Sequence, residues 1–120
     1  MKFMTMVFSK ENQGFPPKEL MEAVAEAGAK ATADGSLVMT GGLGRSAQGA
    51  RVRLEGGQIT VHDGPFAESK ELVGGFAIFE VDSKEEAIER AREFLELHRK
   101  YWPGWEGESE IRPLDPPSWD

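Results

Sequence analysis

Apolar and polar positions alternate with two different periods along this chain, and the change of period marks out its elements. Residues 1–8 set Phe3, Thr5 and Val7 against Met4, Met6 and Phe8, so one face is wholly apolar and the other nearly so, which predicts a strand in the middle of a sheet. Ser9 to Phe15 is polar, contains Asn12 and Gly14, and predicts a loop. Pro16 and Pro17 fix the backbone for a first helical turn, where a missing N–H costs nothing. From Lys18 to about Ala33, Leu20, Ala23, Val24, Ala27 and Ala31 recur at spacings of three and four. That stripe predicts an amphipathic helix lying on a sheet, with alanines that allow close approach. Gly28 weakens its later turns by about 1 kcal/mol relative to alanine.

Asp34-Gly35 predicts a turn and Ser36 to Thr40 a second strand. Gly41-Gly42-Leu43-Gly44 lacks the Lys-Ser/Thr of a phosphate-binding loop and opens no helix, so it reads as a bulge or a bend at a strand end. Gly49 to Leu54 and Gln58 to His62 alternate cleanly around Glu55-Gly56-Gly57, which predicts a β-hairpin with one polar face. Leu72 to Val81 is apolar on both faces and predicts the second central strand. Ser83 and Glu86 form a capping box, so a helix starts at Ser83 or one residue later. Its inner side carries Ala87, Ile88, Ala91, Phe94, Leu95 and His98, and Pro103-Gly104 stops it near Lys100. His98 has no second histidine or cysteine spaced to join it and reads as a packing residue. Glu108 to Leu114 is a last strand, on an edge because Pro113 cannot donate to a ladder.

Two β-α-β units joined by a hairpin give a ferredoxin-like α+β fold, an antiparallel sheet with two helices on one face. It occupies residues 1–114 as a single domain, and 115–120, with Pro116 and Pro117, reads as a loosely attached tail. The helices leave the other sheet face bare. Strands apolar on both sides would then expose more surface than soluble monomers tolerate, so a homodimer joined face to face is expected.

Composition narrows the function classes. With 21 acidic and 14 basic residues the formal net charge is −7, which disfavours direct contact with nucleic acid or an anionic membrane surface. Cysteine is absent, which removes disulfides, thiolate nucleophiles and cysteine-ligated metals. The apolar N-terminus is too short for a signal-peptide core and no stretch approaches a membrane span, so the cytoplasm is the expected compartment. No cofactor is implied.

The candidate chemistry sits between the hairpin and the second central strand, in Asp63-Gly64-Pro65-Phe66-Ala67-Glu68-Ser69-Lys70-Glu71, with His62 just before it. A plain connection needs only about two to five residues of turn chemistry. Asp63 and Gly64-Pro65 suffice to build a turn, and Phe66 suits a plug that anchors the loop. Glu68, Lys70 and Glu71 must be solvated at a rim or paired. In the catalytic reading Asp63 or Glu68 is a general base and Lys70 holds a substrate anion or stabilises developing negative charge. Arg51 and Arg53, on the hairpin, offer further anion contacts or are plain exposed charges. Arg112 offers another, or serves as a structural partner of Asp63 or Glu68. One histidine with two carboxylates has no established metal spacing, and neither Ser46, Ser69 nor Ser109 lies in an elbow motif.

That nine-residue run resembles the DGPF signature, Asp-Gly-Pro-Phe-Ala-Glu-Ser/Thr-Lys-Glu, of the YCII-related superfamily. The likeness extends to Lys2-Phe3-Met4, Ala50-Arg51-Val52-Arg53, Gly74-Gly75-Phe76 and Glu110-Ile111-Arg112-Pro113-Leu114. The resemblance implies a bacterial, dimeric α+β barrel of the ferredoxin-like type and says little about activity. Some relatives are linked in genomes to extracytoplasmic-function sigma factors, and others have a His-Asp pair proposed as catalytic. His62 and Asp63 are adjacent here, and neighbours in a strand point to opposite faces.

Two functional classes follow. One is a homodimer that binds a small, anionic metabolite at a cleft beside the motif loop and performs cofactor-independent acid–base chemistry, with Asp63, Glu68 and Lys70 catalytic and Arg51, His62, Phe66 and Arg112 in contact with substrate. The other is a non-catalytic regulatory or interaction module acting with a transcription-initiation factor, the motif serving dimer and partner contacts. A cofactor-independent oxygenase rests on fold analogy alone. A concave pocket with a perturbed carboxylate favours an enzyme, and a fully paired motif without a cavity favours the module.

Overall fold

The computed structural model describes residues 1–67 and 71–114. In chain order its elements are β1 (Lys2–Ser9), α1 (Lys18–Ala33), β2 (Leu37–Gly42), β3 (Ala50–Glu55), β4 (Gln58–Asp63), β5 (Leu72–Glu80), α2 (Lys84–Tyr101) and β6 (Gly107–Pro113). Single 3-10 turns at Glu11–Gln13 and Ser46–Gln48 interrupt the two longer connections. The expected tail, 115–120, lies outside the described residues.

Four strands form one sheet in the order β2-β5-β1-β6, with antiparallel neighbours throughout. This is the ferredoxin-like α+β arrangement. The two-sided strands β1 and β5 occupy its centre, and β6, which ends on Pro113, lies on an edge. Registers place Phe3 beside Phe79 and Thr5 beside Ala77 and Ile111, on the face the helices cover. Phe3, Val81 and the fully buried Ala87 of α2 form the core cluster, with Phe79 and Ile111 against them. α1 buries Leu20 and Ala31 and rests on α2 and β2.

The helix-free face is the other half of the same alternation. Met4 stands opposite Ile78, Met6 opposite Phe76 and Phe8 opposite Val73, each covered only in part by its neighbours. Along the margins lie Lys2 paired to Glu80 at 3.4 Å and Arg112 paired to Glu110 at 3.5 Å.

β3 and β4 join neither central strand. They form a separate two-stranded sheet, turned by Gly56 and Gly57 at φ 58° and 77°, the positive values that a tight hairpin turn requires and that glycine supplies without strain. Every residue of both strands is exposed. The chain is accordingly flat and extended, 45 × 41 × 20 Å, with a radius of gyration of 16.0 Å against roughly 13 to 14 Å for a compact chain of this length.

The helix ends agree with the sequence pattern with one shift. The Ser83 hydroxyl accepts the Glu86 N–H at 3.2 Å, and the Glu86 carboxylate accepts the N–H of Asp82 at 3.0 Å, one residue before the cap. Replacing the hydroxyl leaves an orphan donor at the start of α2. Ser83→Ala is therefore expected to lower stability by about 1 kcal/mol, read as a lower urea midpoint with an unchanged slope.

Candidate functional site

The described part of the motif loop is clasped to the 3-10 turn at Ser46–Gln48. The Gly64 N–H donates to the Gly49 carbonyl at 2.9 Å, and a Cβ at Gly64 would overlap the Ser46 carbonyl, so only glycine lets the two backbones meet. Two residues on, the Phe66 N–H donates to the Ser46 hydroxyl at 3.1 Å. That hydroxyl donates in turn to the Glu11 carboxylate at 2.6 Å, whose second oxygen accepts the Ser46 N–H at 2.7 Å. The Arg45 guanidinium donates to the Glu11 carbonyl. Hydrogen bonds from the Ser46 hydroxyl and then its N–H hold the Glu11 carboxyl below the usual range, helped by the Arg45 charge and opposed by partial burial. The Arg51 guanidinium lies 3.9 Å from the centre of the Phe66 ring, a cation–π contact that pins the ring to the base of the hairpin.

The candidate residues are distributed unevenly around this clasp. Asp63 ends β4, exposed, opposite Ala50; His62 stands opposite Arg51, its Nε2 3.2 Å from the Thr60 hydroxyl. His62 and Asp63 therefore face opposite sides of the hairpin and form no dyad. Arg53 is exposed opposite Thr60. Glu68 and Lys70 lie outside the described residues. Arg112 is not brought to the described part of the loop: it pairs with Met4 in register and with Glu110 as an ion pair, whereas the loop rejoins the sheet at Leu72, beside Ser9 at the opposite end of β1. A structural pairing of Arg112 with Asp63 is thus replaced by a local one on its own strand.

Between the helices and the sheet lies a cavity of about 600 Å³, lined by apolar side chains such as Val7, Leu20, Val24, Leu37 and Leu97. Its polar lining includes Lys10, Glu11, Arg45 and His98. A second cleft of about 530 Å³ shares Glu11, Leu43 and Arg45 with the first and adds Ser46, Arg51 and Phe66. The clasp therefore forms the seam between an apolar interior and the motif loop.

His98 is buried against Phe94, with ring centres 4.6 Å apart, and against Trp105 at 4.4 Å, with Trp102 at 6.4 Å. Its Nδ1–H donates to the Phe94 carbonyl at 2.9 Å, since a carbonyl can only accept. Burial pushes its pKa below the ordinary histidine value, against the raising effect of that hydrogen bond. The neutral ring leaves Nε2 as an acceptor. Trp105 reaches this cluster because Gly107 leaves room for its ring.

Sequence reasoning missed Glu11, Arg45, Ser46, Trp102 and Trp105 as parts of the site. Glu11 and Ser46 are 35 positions apart in polar loops without periodicity, and only the fold joins them. Among the described residues, no three His, Asp or Glu side chains come together as a metal site would need.

Residues 1–94 match the sequence model of the YCII-related domain. Uncharacterized protein R00369 of Rhizobium meliloti (strain 1021) is 37% identical over 65 residues, 54% of this chain and 48% of that relative. The chain thus matches about half the length of this curated relative. His98, Trp102 and Trp105 lie beyond the residues that the domain model matches.

The clasp carries a pH dependence of defined sign. The Glu11 carboxyl is depressed on folding, so its contribution is complete above the ordinary carboxylate pKa and is lost as pH falls through the lower folded value. Glu11→Gln is expected to be less stable than wild type at pH 7. The gap should narrow in acid, which thermal midpoints taken from pH 7 down to pH 3 would measure.

Proposed function

The chain belongs to the YCII-related domain family, and we propose that it binds a small amphipathic anion, with the apolar body in the cavity between helices and sheet and the anionic end at Arg45 beside the motif loop. The observation that carries this reading is the cavity itself. At about 600 Å³ it has the size of a small-molecule site, and its apolar walls end in a few polar groups that can fix orientation. Arg45 is exposed and carries five donors, of which one is committed to the Glu11 carbonyl, so a carboxylate or phosphate can be held in fork geometry. His98 Nε2 supplies an acceptor in the cavity wall for a ligand hydroxyl or amide.

An acid–base step at the loop, with Asp63 or Glu68 as the base and Lys70 as the cation, extends this reading from binding to catalysis. Asp63 is exposed but lines neither cleft, and the carboxylate that does line both, Glu11, is held down rather than raised. Binding is therefore the better supported half. A second reading, a regulatory module in which the motif is a structural element, is favoured by the Glu11–Ser46–Phe66 clasp, which uses the loop's backbone to hold two chain segments together. In both readings two copies associate through the helix-free face. Among the described residues no helix is long and apolar enough to cross a membrane.

A thermal-shift screen of medium-chain carboxylates and aromatic acids, read in parallel by tryptophan emission, separates the readings. Binding in the cavity raises the melting temperature and shifts the emission of Trp102 and Trp105, which line it. Arg45→Gln should then weaken the affinity about tenfold, equivalent to about 1.4 kcal/mol. Asp63→Ala and Lys70→Ala should keep the fold and impair only turnover. If no acid moves either signal, while Asp63→Ala and Lys70→Ala melt lower than wild type, the motif is architectural.

A further inference from the structure

We infer that the β3–β4 hairpin is an exchange arm, laying its apolar face on the helix-free sheet face of a second copy of this chain. The inference rests on the two-copy association proposed above and adds the arm to it. Val52 stands directly opposite Val61 and Leu54 opposite Ile59, so all four side chains share one face of the ribbon. They are 70%, 65%, 72% and 70% exposed in that order. The reverse face is polar, with Arg51 opposite His62 and Arg53 opposite Thr60. A two-stranded ribbon alone in water is marginal at best, and this one shares no ladder with the main sheet. Its apolar face calls for a third layer.

The same chain carries the complementary deficit. Met4, Met6, Phe8, Phe76 and Ile78 make an apolar centre on the helix-free face, with the charged residues Lys2, Glu80, Glu110 and Arg112 at its margins. An apolar centre within a charged rim is the anatomy of a protein interface. Two copies related by a two-fold axis satisfy both deficits at once, since each gives one arm and receives one, and the assembly closes.

Area favours the arm as part of that contact. Strand spacing and rise make the helix-free face on the order of 20 by 25 Å, below the roughly 800 Å² per partner that a standard interface buries. The apolar face of the chain's own arm, about 20 Å long, adds to that contact, while the arm received covers sheet face already counted. The extended shape of the isolated protomer fits the same account.

The test is solution mass against concentration for wild type, for an arm variant (Val52→Asp with Ile59→Asp) and for a sheet-face variant (Met6→Asp), each checked for native circular dichroism. Wild type is expected at twice the chain mass. Both variants should dissociate at concentrations roughly a hundredfold higher than wild type, because each buries an unpaired carboxylate in the contact. Val52→Thr with Ile59→Val, which keeps shape on the arm, is expected to stay dimeric and guards against a folding artefact. If Met6→Asp dissociates the dimer while the arm variant leaves it intact, the face-to-face dimer stands and the arm is overturned. If the arm variant alone dissociates it, the arm does not rest on the sheet face and the inference fails. A monomeric wild type at all concentrations overturns the arm and the two-copy association together.

Discussion

Strands β1 and β5 are apolar on both faces, and a sheet built around them needs a layer on each side. The helices supply one. Phe3, Thr5 and Phe79 turn toward α1 and α2, while Met4, Met6, Phe76 and Ile78 turn away by the strict period of the pleat, so burial of one set exposes the other. No change of register relieves this, because a one-residue slip only exchanges the two sets. The chain's flat shape, its small core and its detached hairpin follow from the same division: apolar side chains are distributed over three surfaces, and the chain's own helices cover one of them.

The helix layer does not fill the space it encloses. α1 presents alanines and Gly28 to the sheet where larger side chains would close the gap, and β5 presents Gly75 and Ala77 from below. Small residues on both walls leave a cavity of about 600 Å³ with Phe94, Trp102 and Trp105 beside it. A protein interior is otherwise packed like an organic crystal, so a largely apolar, partly open cleft of this size forgoes dispersion contacts that larger side chains at those alanines would make. The sequence therefore places small residues where stability alone would favour large ones, which is why the cavity carries the functional reading.

Legibility followed the range of the signal. Period-2 and period-3.6 patterns located both helices, the central strands, the hairpin and the edge position of β6, because each is written in neighbouring residues. The capping box at Ser83 and Glu86 was visible for the same reason, apart from the one-residue shift of the Glu86 contact to Asp82. The site was only partly visible. The motif announced itself by its density of Asp, Gly, Pro and charge, but its partner Glu11 sits in an unpatterned loop, and Ser46 was considered only as a nucleophile. Arg112 shows a related limit: being near the C-terminus and basic does not determine which end of the sheet a residue occupies, and antiparallel pairing with β1 places it opposite Met4, away from the described part of the loop.

The residue types of the motif make physical sense once its position is known. Asp63 closes the last rung of the hairpin against Ala50, and the Gly64 N–H then binds the Gly49 carbonyl, so the motif ties together the two strands of the arm at their base. Gly64 must lack a side chain because the Ser46 carbonyl occupies that space, and the Phe66 ring fills the position between Gly49 and the Arg51 guanidinium. Through Ser46 the same contacts reach Glu11, and through Glu11 the Arg45 side chain that both clefts share. The arm, the loop and the cavity are thus joined by one short chain of hydrogen bonds, so the angle at which the arm leaves the body and the position of Arg45 are set by the same few atoms.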